Sequence, residues 1–393
     1  MSDAYIVSAV RTPVGKAHRG YFRNTRPDDL LAHVLRATLA KVPEIEAERV
    51  ADVIVGCAMP EAEQGMNVAR IGVLLADLPD RVPAMTVNRF CSSGLQTVAL
   101  AADRIRLGEA DVIIAGGTES MTMVPMMGHK VAMNPAVFQD DHVAIAYGMG
   151  ITAENVAAQW KVSREDQDAF ALRSHRTALA AIDGPGYPEI APYTVRAHVP
   201  DTASGTVRLI ERTIDTDEGP RRDTTAEALA KLRPVFHAQG TVTAGNSSQM
   251  SDGAGALVLV SEQVLKETGL EPLAVFRGFA VAGVPPEIMG IGPIEAIPRV
   301  LKQTGIAKDQ IDWIELNEAF AAQSLAVIRD LELDPEKVNP KGGAIALGHP
   351  LGASGAILSA KLIHGLKQTG GKYGMVTMCI GTGMGAAGIF EIL

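Results

Sequence analysis

The chain spells one order of elements twice. Helical periodicity over residues 28–40 precedes a strand-like run, Val50-Ala51-Asp52-Val53-Ile54-Val55-Gly56-Cys57. Near the other end, a helical stretch at 294–303 precedes Ile311-Asp312-Trp313-Ile314-Glu315-Leu316-Asn317. Val87-Asn88 then leads to Cys91 and Gly94, and a helix follows. Its counterpart, Val338-Asn339, leads through Gly342-Gly343 to His349 and Gly352, again with a helix after it. Each copy then offers an apolar strand ending in glycine, at 112–117 and 375–381. Strands alternating with helices predict parallel-rich sheets covered by helices, an α/β fold. The near-continuous apolar runs predict strands buried on both faces. Two such units packed together bring equivalent strand ends towards one cleft, although a duplicated scaffold without chemistry fits the repeat as well.

Aromatic residues make up only 4% of the 393 residues while 47% are hydrophobic, so the core must be built from Ala, Val, Leu, Ile and Gly in tightly stacked layers. The net charge of −9 argues against a general nucleic-acid binder and leaves room for a local basic patch. Three cysteines without metal-ligand spacing predict no disulfide framework, no metal site and a reducing compartment, with the cytoplasm the expected one. The N-terminus enters a strand-like run at 4–10 directly, without a charged leader and apolar stretch. No apolar run approaches membrane-spanning length.

Between the two copies, residues 119–245 read differently. A Met-rich stretch, Met121-Thr122-Met123-Val124-Pro125-Met126-Met127-Gly128, opens the segment. Ser163-Arg164-Glu165-Asp166 signals a helix start. The expected division is therefore a first unit at 1–118 continuing through 246–270, an inserted loop domain at 119–245 lying over the cleft, and a second unit at 271–393. The methionines suit a greasy substrate wall, or equally ordinary packing or a subunit contact.

Cys91, in Asn-Arg-Phe-Cys-Ser-Ser-Gly, lies at a strand-to-helix turn, since Leu95, Val98, Ala99, Ala102 and Ile105 follow at helical spacing. Free N–H groups and the helix dipole there predict a depressed thiol pKa and an activated nucleophile. The bland alternative is a small buried hydrophobe. His349, between Gly348 and Pro350, is a candidate base level with the Cys91 turn, or a structural turn histidine. The other eight histidines read as surface or packing residues. Cys379 ends a strand and precedes Gly381, Gly383 and Gly385, a spacing that could hold an oxyanion on backbone N–H groups. Asn317 ends the strand at 311–316, where its amide could hold a water, orient an imidazole or simply cap a turn. Cys57 reads as structural.

Taken together, the Cys91 turn, Asn317-Glu318-Ala319-Phe320-Ala321, the Gly-His-Pro-Leu-Gly run around His349 and Cys379-Ile-Gly-Thr-Gly-Met-Gly resemble the thiolases over essentially the whole chain. The resemblance implies a duplicated five-layer αβαβα fold with an inserted loop domain, and coenzyme A as co-substrate without a tightly bound cofactor. It implies that Cys91 is the nucleophile, His349 the base and Cys379 the second proton carrier. Asn317 then holds a water for one oxyanion hole, and the N–H groups of Cys91 and Gly381 form the other. Ser248, Phe320, Arg221 and Arg222 are assigned to coenzyme A, the arginines to its phosphates. Without the resemblance, the arginine pair reads as a solvated charge run. Gln249-Met250 departs from the glycine and apolar residue more usual after Ser248.

The activity implied is thiolytic cleavage of a 3-oxoacyl-CoA, as in β-oxidation. The runner-up is an acetoacetyl-CoA enzyme working in the condensing direction. A decarboxylating condensing enzyme would want histidine or asparagine where Cys379 stands. A plain cysteine hydrolase and a catalytically silent scaffold or lipid carrier complete the alternatives. The family implies a homodimer or homotetramer, with a hydratase–dehydrogenase partner in some members.

Overall fold

A computed structural model describes residues 3–139 and 148–393. Positions 140–147 of the inserted segment lie outside the described residues. The first half of the sheet runs in the order Ala84–Val87, Asp52–Gly56, Val112–Ser120, Ser251–Val260, Tyr5–Arg11. The second half repeats that order as Ile311–Leu316, Tyr373–Ile380, Met384–Ile392, Ala274–Gly283, with Val338 bridging Ile314 where the first half has its edge strand. The halves join edge to edge where Tyr5 and Ile6 pair with Val275 and Ala274.

The expected parallel-rich sheet is instead mixed. Strands are parallel only on the outer side of each half, Asp52–Gly56 with both its neighbours and Ile311–Leu316 with Tyr373–Ile380. The inner strands are antiparallel. For the pair Tyr373–Ile380 and Met384–Ile392 the cause is connection length. Only the glycine-rich turn 381–383 separates Tyr373–Ile380 from Met384–Ile392, and a turn that short reverses the chain.

Three apolar cores separate five layers. Helices Ser93–Arg106 and Ser354–Thr369 form the middle layer, where Leu95, Val98 and Ile105 meet Leu362, Ile363 and Leu366 between the sheet halves. Helix Pro27–Ala40 covers the outer face of the first half through Leu30, Leu31 and Leu35. Helices Gly292–Thr304 and Ala321–Asp330 cover the second through Ile297, Val300 and Val327.

The two central helices cross at their N-termini, and that crossing requires glycine on both. A Cβ on Gly94 would lie 2.6 Å from the Ala356 nitrogen, and one on Gly355 would lie 2.1 Å from the Leu95 nitrogen. This contact also corrects the repeat register. Ser93-Gly94 matches Ser354-Gly355, so Cys91 is the counterpart of Gly352 and His349 lies earlier in its own turn.

The connecting segment leaves the sheet after Ser120, since the strand Val112–Ser120 continues through Glu119. Its helix Arg164–Asp183 starts where the sequence signals, with Ser163 Oγ accepting from the Asp166 N–H at 3.1 Å. Antiparallel strands Tyr193–Asp201 and Thr206–Ile214 form an exposed hairpin.

Candidate active site

Two short 3₁₀ turns, Phe90–Ser92 and Leu351–Ala353, stand at the N-termini of the two central helices. Phe90 takes a left-handed conformation, φ 43°, immediately before Cys91. A bulky residue there is strained, and such strain is stored at functional turns. The Cys91 sulfur faces the backbone N–H groups of Cys91 itself and of Gly381. Cys379, next to last in the strand Tyr373–Ile380, lies close enough to interact electrostatically with Cys91. Cys91, His349 and Cys379 line one cavity of about 900 Å³.

His349 is held on both ring nitrogens. Asn317 Nδ2 lies 3.3 Å from Nε2, and Ser354 Oγ lies 2.6 Å from Nδ1. With the Asn317 amide placed NH₂ towards the ring, Nε2 is assigned as the acceptor and the ring proton to Nδ1, donating to Ser354. The His349 backbone N–H donates to the Gln249 carbonyl and to Ser251 Oγ, both at 3.2 Å. The Asn317 N–H is in turn fixed to the Thr377 carbonyl at 2.9 Å.

The electrostatics overturn one expectation. The Cys91 thiol is pushed up to about 11, chiefly because burial penalises the thiolate. The N–H groups of Gly381 and Cys91 oppose this, but they do not prevail, and the Glu119 carboxylate adds to the rise. Being at a helix start is therefore not enough to ionise this cysteine. Burial lowers His349 to about 4, so the imidazole is neutral and able to accept a proton at pH 7. Burial also raises the Cys379 thiol, with the Cys91 sulfur adding to the effect, so it stays protonated. The resting site is thus a neutral thiol, a neutral imidazole and a neutral thiol.

Other sequence candidates divide. Ser248 and Phe320 line the cavity; the Ser248 N–H donates to the Ala319 carbonyl at 2.9 Å, and the Phe320 ring packs edge-on against Phe236 with centroids 6.1 Å apart. Arg221 lines it too. Arg222 does not, because its guanidinium makes a bidentate pair with Asp183 at 2.6 and 2.8 Å. The Gln249 amide donates to the carbonyls of Gly219, Ile345 and Ala346, so the unusual residue ties the inserted segment to the His349 loop. Cys57 is buried away from the cavity, as its structural reading required.

Sequence reasoning missed three groups. Ser354 carried no signal beyond its place in a glycine-rich run. Lys16 reaches the cavity because Gly15-Lys16 pairs with Asp252 and Ser251, a long-range pairing no local pattern reveals. His175 also lines the cavity, against the expectation for the remaining histidines; burial first, then Arg221 and Lys16, lowers it to about 4. Lys16 and Arg221 thus form a cationic rim.

A thiolase N-terminal domain model matches residues 4–263, and a thiolase C-terminal domain model matches residues 270–392. The chain belongs to the thiolase family. It is 53% identical over 396 residues to a 3-ketoacyl-CoA thiolase of Bacillus subtilis, covering 100% of both chains. Identity to the peroxisomal 3-ketoacyl-CoA thiolase 1 of Arabidopsis thaliana is 47%, over 99% of this thiolase and 87% of the plant protein. The acetyl-CoA acetyltransferase of Bacillus anthracis superposes with a TM-score of 0.89 at 40% identity, covering 100% of this chain and 99% of the other.

Proposed function

We propose that this thiolase cleaves 3-oxoacyl-CoA with coenzyme A to give acetyl-CoA and a shortened acyl-CoA, the thiolytic step of β-oxidation. The observation that carries the reading is the meeting of Cys91, a neutral His349 and a protonated Cys379 in one cavity. Cys91 Sγ attacks C3 of the substrate and its proton passes to His349 Nε2. The C2–C3 bond breaks, and C2 takes the Cys379 thiol proton to leave as acetyl-CoA. The acyl group remains on Cys91. Coenzyme A then gives its thiol proton to the Cys379 thiolate and attacks the acyl carbon. The Cys91 sulfur departs and recovers its proton from His349.

A carbonyl oxygen bonded next to the Cys91 sulfur meets the N–H groups of Cys91 and Gly381, which already face that sulfur. We assign them to one oxyanion hole, and Asn317 with a water to the other. Each such donor is worth about 2.7–4 kcal/mol of barrier. Coenzyme A is assigned to the cavity beneath the inserted segment, with pantetheine near Ser248 and Phe320 and the phosphates near Arg221 and Lys16. Arg222 is left out because Asp183 holds it.

Met121, Met126, Met149, Met289, Phe236 and Leu351 give the cavity adaptable apolar walls, which favour acyl tails longer than acetoacetyl. The likeness to an acetyl-CoA acetyltransferase structure supports the second reading, C4 chemistry in the condensing direction. Rates on C4 and C10–C16 3-oxoacyl-CoAs separate them: cleavage of long substrates confirms the degradative reading, and activity confined to C4 replaces it. Release of free acid would overturn both.

The reading carries homodimer or homotetramer assembly in a reducing cytoplasm. The edge strand Ala84–Val87 and the exposed Met66, Leu74, Leu75 and Met85 offer apolar surface for a second subunit. Among the described residues no helix is long and apolar enough to cross a membrane.

A further inference from the structure

The end of the strand Val112–Ser120 carries a buried carboxylate that the chemistry above does not use. Glu119 is fully buried and accepts hydrogen bonds on both carboxylate oxygens. Its Oε2 accepts from the Ala58 N–H at 2.7 Å and from the Gly352 N–H at 2.8 Å. Its Oε1 accepts from the Met59 N–H at 3.3 Å and from the Gln64 amide, with the Cys57 thiol at 3.9 Å. Burial raises the pKa of this carboxyl, and the donors on Ala58, Gly352, Gln64 and Met59 oppose the rise by favouring the charged form.

The donors come from both halves of the duplicated fold. Ala58, Met59 and Gln64 follow the strand Asp52–Gly56 of the first half. Gly352 belongs to the second, in the turn just after His349 and in the register position matching Cys91. The fit is close, since a Cβ on Gly352 would lie 2.5 Å from the Ala58 nitrogen and 2.7 Å from Glu119 Oε2. Among the described residues no other side chain bonds the Gly352 N–H.

We propose that Glu119 is a positioning residue for the proposed reaction, pinning the His349 turn to the first half of the molecule and keeping a negative charge behind Cys91. It touches neither reacting sulfur. Reach and charge have separate consequences. Without the Gly352 bond, the 351–353 turn loses its tie to the Cys91 side and the imidazole drifts from the thiol. Without the charge, the free thiol ionises more easily, because a nearby anion disfavours a thiolate. The same anion favours the imidazolium that forms when His349 takes the proton. The other titratable groups facing Cys91 are His349 and Cys379, both neutral at pH 7. Lys16, Arg19 and Arg221 line the same cavity and are unaltered in every variant below.

The test uses full-length Glu119→Gln and Glu119→Asp beside Cys91→Ala. Steady-state thiolysis is measured together with the pH dependence of Cys91 carboxamidomethylation by iodoacetamide, read by mass on the Cys91 peptide. Glu119→Gln should lose tenfold or more in kcat, change KM for coenzyme A less than threefold, and move the alkylation midpoint to lower pH. Glu119→Asp keeps the charge but is one methylene short of Gly352; it should lose kcat with its alkylation midpoint unmoved. If Glu119→Gln does not fold, the Asp variant alone decides. Wild-type kcat in either soluble variant, or an unmoved midpoint in the Gln variant, overturns the proposal. The role rests on the catalytic reading above, and Cys91→Ala keeps the two apart: undiminished cleavage by that variant sinks the reaction itself, whereas a dead Cys91→Ala beside silent Glu119 variants sinks only the positioning role.

Discussion

Replacing Ser354 with alanine removes the sole side-chain partner of His349 Nδ1 among the described residues, a contact of 2.6 Å between two buried groups. The Nδ1–H is left buried without that partner. In the resting enzyme that orphaned donor costs about 1–3 kcal/mol of stability. The loss is larger once His349 has taken the Cys91 proton, because the bond then donates from a cation. Hydrogen bonds to charged groups are worth about 1.5–3 kcal/mol. Only the excess over the neutral bond's about 0.5–1.5 kcal/mol raises the barrier, about 1–1.5 kcal/mol, so at about 1.36 kcal/mol per factor of ten kcat should fall about 5- to 13-fold. The tautomer is also released, so a fraction of the enzyme carries its proton on Nε2 and cannot act as base. The assay is thiolysis of a 3-oxoacyl-CoA at saturating coenzyme A, followed by loss of the 3-oxoacyl enolate absorbance. KM for coenzyme A should change little, since Ser354 does not line the cavity. A Ser354→Ala enzyme within twofold of wild-type kcat would refute the assigned tautomer and the role of Nε2 built on it.

Three further outcomes follow from the same geometry. Cys379→Ala should lower cleavage on the order of 10²–10⁴-fold by removing the proton donor, while still forming an acyl adduct on Cys91 from acyl-CoA; equal loss of both activities would contradict separate roles for the sulfurs. Arg221→Ala should raise KM for coenzyme A at nearly constant kcat, and Arg222→Ala should leave KM unchanged because Asp183 already holds that side chain; the reverse pattern would reassign the phosphates. His349 and His175 are each held near 4 when folded, against 6.5 as the ordinary value. The unfolded chain therefore binds more protons between those values, so stability falls as pH drops from about 6.5 towards about 4, by about 3 kcal/mol for each histidine. Urea midpoints unchanged between pH 7 and pH 5 would contradict neutral burial of both.

The duplication was legible because apolar strands, helix periodicities and glycine turns recur in one order; the five layers were implied by the thiolase resemblance, and the strand order was not read. Strand direction was less legible. It depends on whether a connection is a crossover or a tight turn, and the short link at Gly381–Gly383 reverses the chain where a helix would not. The register offset between Cys91 and His349 was hidden too, because it is set by the close crossing of Gly94 and Gly355 in three dimensions. Cys91, His349, Asn317 and Cys379 stood out through their turns. Lys16, His175 and Glu119 did not, since each acts through a partner distant in the chain, and Ser354, five residues from His349, had no signal beyond its glycine-rich run. The thiol pKa was misjudged for a physical reason: a helix start favours a thiolate by a modest local field, while burying the charge costs more.

Acyl-enzyme trapping tests the central claim most directly. The enzyme is mixed with a 3-oxoacyl-CoA in the absence of free coenzyme A, quenched in acid, digested and read by peptide mass. The shortened acyl group should appear on the Cys91 peptide alone, and added coenzyme A should discharge it as acyl-CoA. An acyl group on Cys379 or Cys57, or product formation with Cys91 never modified, would contradict a thioester route through Cys91.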